Sequence, residues 1–382
     1  MGGGLLQLVA YGAQDVYLTG NPQITFWKVV YRRHTNFAME AIEQSFNGSP
    51  RFGSRVTAQI SRNGDLIHRM WLQLDLPAAT GAGYVEKAGL ALIKSVELEI
   101  GGQKIDKHYG EWMHIWNELS LPRGKQDGYD KLVGDFDGET ATTVVSTVYV
   151  PLEFWFCRNP GLALPLIALQ YHDVKVNIEF EDSSKILAPA IVDAGGDTTT
   201  AAGATTGNID ARLWVDYVFL DTDERRRFSQ MSHEYLIDQL QFTGDESTLN
   251  NIKLSFNHPV KELVWVLKAE NAAKLQYNGN MESAKLQLNG HDRFAERPAA
   301  YFELVQPFQH HENVPISKNI YVYSFALKPE EHQPSGTLNM SRIDTAALKL
   351  TGATANATAK VFATNYNVLR ILSGMGGLAY SN

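Results

Sequence analysis

The sequence predicts an all-β protein built as a double jelly roll: two tandem eight-stranded jelly-roll β-sandwiches, with short helices in the connecting loops. Three observations carry that prediction. First, Ser95–Gly102 and Ser283–Gly290 match position for position. Each is an alternating apolar and polar run that enters a two-residue turn, Gly101-Gly102 or Asn289-Gly290. Alternation marks a half-buried strand, and the central residues of such a turn need φ > 0, which Asn and Gly supply. Second, each hairpin is followed by a helical pattern. Trp112, Ile115, Trp116 and Leu119 fall at i, i+3, i+4 and i+7, and Pro298 is placed to open a helix carrying Tyr301, Phe302 and Val305. Third, each half holds about eight short strand-like runs punctuated by turn residues, the count of two antiparallel sheets packed face to face.

With 382 residues, 44% of them hydrophobic, the chain can fill two cores rather than one. A formal net charge of −8 offers no basic face of the kind that grips a duplex, so direct nucleic-acid binding is not expected. Cys157 is the only cysteine, which excludes an intrachain disulfide and a cysteine zinc cage. Met1–Leu6 has neither a basic start nor a long apolar run, so no signal peptide is read there. Leu6 stands where myristoylation would want Ser or Thr. No apolar run approaches the length of a membrane span.

Residues 1–24 read as an N-terminal arm, glycine-rich at its start, whose Leu5, Leu8 and Val9 suit either a neighbour's apolar surface or the arm's own domain. The first jelly roll is placed at 25–220. Within it, Ile24 to Tyr31 is a strand or a short helix, Phe37 to Phe46 is extended, Val56 to Ile60 alternates, and Leu66 to Leu76 is a long strand stopped by Pro77. A Gly/Ala-rich loop at 78–89 precedes the first hairpin and its helix. Residues 121–142 read as a long surface loop with one small anchor among Leu132, Val133 and Phe136. Val144 to Phe156 is strand-rich, Val174 to Phe180 alternates, and residues 188–208 are too poor in bulky groups to pack. Ala211 to Leu220 closes the domain. The linker, 221–230, sets Arg225, Arg226 and Arg227 beside Asp221, Asp223 and Glu224, a self-neutralising solvated face. The second jelly roll, 231–382, runs from an extended Tyr235 to Phe242, ending at Thr243-Gly244, through Ile252 to Phe256 and Leu263 to Lys268 to the second hairpin and helix. Ile320 to Leu327, Leu348 to Leu350 and Val361 to Leu372 follow, then a glycine-rich C-terminal tail.

No catalytic, cofactor-binding or metal-binding residue is assigned. The sequence lacks His-Glu-x-x-His, a nucleophile elbow and a glycine-rich phosphate loop. His310-His311-Glu312 is the most suggestive local cluster, but neighbours on a strand point to opposite faces and would not converge on one ion. His34, His68, His108, His114, His172, His233, His258, His291 and His332 are scattered and read as surface or turn histidines. Cys157 reads as a small buried hydrophobe, and Trp71 and Trp155 as core. Asn47, Asn339 and Asn356 sit in Asn-x-Ser/Thr sequons, which act only on passage through a secretory compartment that the chain does not signal.

Several blocks, in order along both halves, carry a resemblance. They are Tyr11–Phe26 (YGAQDVYLTGNPQITF), Tyr31-Arg32-Arg33, Gly101–His108 (GGQKIDKH), Pro160–Leu169 (PGLALPLIAL), His233–Leu236 (HEYL), Gln333–Thr337 (QPSGT), Ser341–Asp344 (SRID) and Asn365–Arg370 (NYNVLR). With them the chain resembles the major capsid proteins of large icosahedral double-stranded DNA viruses, nearest the algal, chlorella virus-like members.

The resemblance implies a structural, non-enzymatic protein without cofactors, made and assembled in the host cytoplasm. It implies a homotrimer that forms pseudo-hexagonal capsomers tiling the outer icosahedral shell of the virion. Neighbouring capsomers and minor capsid or cement proteins beneath the shell are the implied partners, and the base faces an internal membrane without spanning it. Residues 244–251 are short where algal relatives often carry insertions. On the residues alone, a glycan-binding β-sandwich with exposed aromatics stays open, and so does a glycosidase with two facing carboxylates.

Overall fold

The computed structural model describes residues 3–78, 82–134, 146–189, 208–270, 272, 274–316 and 318–380. Residues 3–36 form a unit of their own, with two short helices, Gly4–Gln7 and Asp15–Thr19, and a bridge between Thr25 and Lys28. None of its described side chains is buried, and Phe26 and Trp27 are 97% and 89% exposed. The expected strand or helix over Ile24 to Tyr31 is therefore absent: the segment finds neither a partner strand nor a core. The second unit starts at Phe37.

Eight principal strands build the first half of that unit: β1 (Phe37–Gln44), β2 (Arg55–Gln59), β3 (Leu66–Leu76), β4 (Ile93–Ile100), β5 (Gln103–His108), β6 (Ser146–Pro151), β7 (Val174–Phe180) and β8 (Asp210–Leu220). Eight more build the second: β9 (His233–Glu246), β10 (Ile252–Leu254), β11 (Pro259–Lys268), β12 (Ser283–Leu288), β13 (His291–Asp292), β14 (Ile320–Ser324), β15 (Ala346–Thr351) and β16 (Thr358–Leu372). The first half's sheets run β1-β8-β3-β6 and β2-β7-β4-β5, and the second half's run β9-β16-β11-β14 and β10-β15-β12-β13. Each strand of the second half takes the place of the strand eight labels before it. Even a two-residue accessory strand is repeated: Leu164–Pro165 pairs with the start of β3, and Leu338–Asn339 with the start of β11. This is a double jelly roll.

The alternation read in the sequence is what fills the sandwiches. Met70, Leu72 and Leu74 of β3 face Val176 and Ile178 of β7 across the first core, and Leu263, Trp265 and Leu267 of β11 belong to the second. Both hairpin turns have the expected backbone, with φ of 57° and 83° at Gly101-Gly102 and 51° and 80° at Asn289-Gly290.

Several expectations are corrected. Residues 121–142 begin with a helix, Arg123–Val133, anchored by Tyr129 and Val133, and Leu132 is exposed. Phe136 and most of 188–208 lie outside the described residues. Pro298 sits in a short strand, Arg297–Pro298, and the second helix starts as a π-helical turn, Tyr301–Val305, continuing as Gln306–His310. Pro307 has no N–H to give to the carbonyl four residues back, which accounts for the wider turn before it. β9 does not stop at Thr243-Gly244. It bulges there, between Phe242 and Asp245, and pairs on to Glu246. β14 ends at Ser324, short of Leu327. The glycine-rich tail forms a strand, Met375–Leu378, on β16, and a Cβ at Gly376 would stand 2.6 Å from Leu169 Cδ2 of the first jelly roll. Only glycine lets the strand lie that close.

Candidate functional site: the seam between the jelly rolls

The two jelly rolls meet across an apolar contact ringed by polar ties. Helix Gly110–Ser120 follows directly on β5, and every residue from Gly110 to Leu119 is buried. Met113 belongs to the first core. Trp112, Ile115, Trp116 and Leu119, the stripe legible in the sequence, instead pack on the second jelly roll, against Val264, Val266, Ile320, Val322 and Phe362. The Trp112 and Phe362 rings lie 5.3 Å apart, and Phe242 stacks on Phe362 at 4.8 Å.

Polar ties surround this apolar plug. Lys360 Nζ is 2.6 Å from Glu111 Oε2. The helix ends with free carbonyls, and Asn313 of the second half caps two of them. Its side chain donates to Glu118 O at 2.8 Å and its backbone N–H to Leu119 O at 2.9 Å. Lys274 Nζ crosses to Ala91 O at 2.7 Å and to Glu181 Oε2 at 2.8 Å. Its ammonium and the Lys185 side chain hold the Glu181 carboxyl at about 2, against the upward push of burial. Asp106 Oδ1 accepts from Leu240 N–H, and Gln239 Nε2 donates to Ile105 O.

Two buried charge clusters flank the seam. Lys87 Nζ bonds Glu118 Oε1 at 2.6 Å and Asp130 Oδ1 at 3.0 Å. Burial pushes the Lys87 ammonium down, but the two carboxylates outweigh it and raise it. His114 beside them is pushed well below the usual range by burial, then by Lys87 and Lys318. In the second cluster, Lys261 and Glu262 are adjacent on β11, 1% and 0% exposed. Lys261 Nζ meets Asp238 Oδ1 at 3.1 Å and Pro329 O at 2.9 Å. Glu262 Oε2 meets His311 Nε2 at 2.9 Å, and His311 Nδ1 meets Glu330 Oε1 at 2.7 Å. Burial alone would lower the His311 imidazole, but Glu262 and Glu330 raise it to about 9.

The structure also places the other residues singled out in the sequence. His310-His311-Glu312 leaves a helix end rather than a strand, and both His311 nitrogens are taken by carboxylates. Among the described residues no group of three or more His, Cys, Asp or Glu is arranged to hold a metal ion. His68, His108 and His114 are buried, not on the surface: His68 bonds Phe156 O, and His108 sits 2.8 Å from Asp106. Trp155 is core, Trp71 only half-buried, and Cys157 packs against the first core with its thiol pushed up by burial. Arg225 does not pair within its linker. The segment Thr222–Gln230 is a helix capped by Asp221, and Arg225 reaches Asp65 Oδ1 at 3.0 Å. Asn47, Asn339 and Asn356 are exposed. Among the described residues no helix is long and apolar enough to cross a membrane.

Comparison with known proteins agrees with this architecture. Residues 25–221 match the family described as "Major capsid protein N-terminus", and residues 224–377 that described as "Large eukaryotic DNA virus major capsid protein". The chain is 60% identical over 411 residues to the major capsid protein of Pyramimonas orientalis virus and 45% identical over 447 to that of Paramecium bursaria Chlorella virus 1, each across 100% of both chains. Both alignments exceed the 382 residues of this chain, so these relatives carry segments that it lacks. PBCV-1 VP54, solved and fitted into a reconstruction of the virophage Sputnik, is similar at a TM-score of 0.81 and 40% identity, over 94% of this chain and 100% of that one. The Faustovirus major capsid protein shares the fold at 16% identity and a TM-score of 0.75. A duplicated jelly roll joined by a packed seam, matched along its whole length to these proteins, makes this chain a member of the major capsid proteins of large eukaryotic DNA viruses, a structural protein of the icosahedral virion shell.

Proposed function

We propose that the chain assembles as a homotrimer whose six jelly rolls form a pseudo-hexagonal capsomer, and that these capsomers tile the outer shell. The observation that carries this reading is the repeated sheet order, strand for strand, in the two halves. Two similar domains per chain, taken three times around an axis, approximate a hexagon, and a hexagon tiles a shell with one repeated kind of contact. The working division is an arm at 1–24, jelly rolls at 25–220 and 231–382, and a linker at 221–230. The base of the capsomer faces the virion interior, toward minor capsid or cement proteins and an internal membrane layer that the chain does not span. Residues 188–208 and the segment 120–142 are further contact regions between copies. The protein does not bind the genome directly.

Sedimentation equilibrium on the purified full chain tests the reading. The expected mass is that of three chains. A monomer that persists at high concentration would overturn it.

A further inference from the structure

The helical stripe that closes the seam occurs twice, and in its second copy three of the four side chains are exposed while Tyr301 packs against the second core. Tyr301, Leu304, Val305 and Phe308 repeat the spacing of Trp112, Ile115, Trp116 and Leu119, at the same place after the matching hairpin. The first four are at most 5% exposed. Of the second set, Leu304, Val305 and Phe308 are 42%, 40% and 79% exposed. Three large apolar side chains side by side on one helix face mark an interaction surface.

The receiving face is repeated too. In the second jelly roll the helix lands on the outer side of β11, β14 and β16, where Val264 pairs in register with both Val322 and Phe362. Counting back eight strands, Trp71 of β3 pairs with Pro151 of β6 and Trp214 of β8. The next outward position, Gln73, pairs with Tyr149 and Arg212. Met70, Leu72, Val148, Val150, Leu213 and Val215 point into the first core, so Trp71, Tyr149 and Trp214 point away from it. The two tryptophans are cross-strand neighbours, each half-buried, Tyr149 is 37% exposed, and Trp214 Nε1 donates to Gln73 Oε1 at 3.0 Å. Arg212 takes the register place of Lys360, the cation that pairs with Glu111 across the seam.

We infer that the helix 301–310 of one copy packs on the Trp71, Tyr149 and Trp214 face of a second copy, repeating between chains the contact that the helix 110–120 makes within one. The inference rests on the homotrimer proposed above and names its contact. The contact is head-to-tail, so it leaves one helix and one aromatic face unsatisfied in any open chain of copies and satisfies all of them only in a closed ring. An exposed Phe entering an aromatic patch has the make-up of an interface hot spot.

Phe308→Asp and Trp214→Ala are the variants to compare with the native chain by sedimentation equilibrium, with a thermal melt as the folding control. The expected result is a trimer for the native chain and at least roughly 30-fold weaker association for Phe308→Asp, with an unchanged melt at concentrations low enough to leave both proteins monomeric, because Phe308 is 79% exposed. In a Cys157→Ala background, Phe308→Cys with Trp214→Cys should be joined by a short bismaleimide into a covalent species of up to three chains. A native trimer that Phe308→Asp leaves intact, with no cross-linked species, overturns this contact and leaves the trimer standing. A native chain that is monomeric overturns the trimer, and the contact with it.

Discussion

Lys360, on the last principal strand of the second jelly roll, holds Glu111, in the first turn of the helix from the first jelly roll, at 2.6 Å. The pair borders an apolar plug made by both halves, with Trp112 against Phe362. The two jelly rolls therefore share a third core as well as owning one each, and they should not unfold independently.

Trp112→Ala removes one of the largest buried side chains from that shared core. The expected loss is about 3–5 kcal/mol of unfolding free energy, the usual range for truncating a buried aromatic. Denaturant titration followed by fluorescence and by circular dichroism measures it. A loss under about 1 kcal/mol would mean that the seam contributes little.

Stability should fall with alkali through His311. Its imidazole is held at about 9, above the unfolded value of 6.5, by Glu262 and Glu330. A group raised in the folded state stabilises fully below its unfolded value, and that contribution is lost as pH rises through the folded one. The melting temperature should therefore decline between pH 6.5 and about 9. In His311→Gln it should be lower at neutral pH, by an amount equivalent to roughly 3 kcal/mol for a broken buried pair, and this part of the decline should vanish. Melting curves of both proteins across that range decide the matter, and parallel declines would remove His311 as the cause.

The linker arginines should not hold DNA. Arg225 is engaged by Asp65, Asp223 and Glu224 share its helix, and the chain is negative overall. Phosphate binding strengthens steeply as salt falls. A filter-binding titration at low and moderate salt should show no such dependence, before or after replacing Arg225, Arg226 and Arg227 by Ala. Tight, salt-sensitive retention that disappears with the arginines would contradict this.

The strands and turns were legible because one face of most of them is wet, so Val174, Val176, Ile178 and Phe180 alternate with polar residues. The seam was legible only in half. The stripe on helix 110–120 announced a buried face but not its partner, since amphipathic spacing gives a direction and no address. β11 hid the rest: Pro259 to Lys268 is covered on both faces, so Lys261 and Glu262 lie buried where alternation would place one of them in water. His311 was unreadable because its two carboxylate partners come from distant stretches of chain. The helix Arg123–Val133 was missed because its two glycines and two aspartates read as loop, and Tyr129 and Val133 hold it by tertiary contact.

The shared core also fixes an order of events on the ribosome. Chains are made from the N-terminus, at a pace slow enough for early domains to fold first. The residues that cover Trp112, Ile115, Trp116 and Leu119 come from β11, β14 and β16, as far along as Phe362. From the completion of β8 at Leu220 until Phe362 has been made, the newborn first jelly roll thus carries an uncovered apolar ridge, a period in which a growing chain is exposed to aggregation and has need of a chaperone.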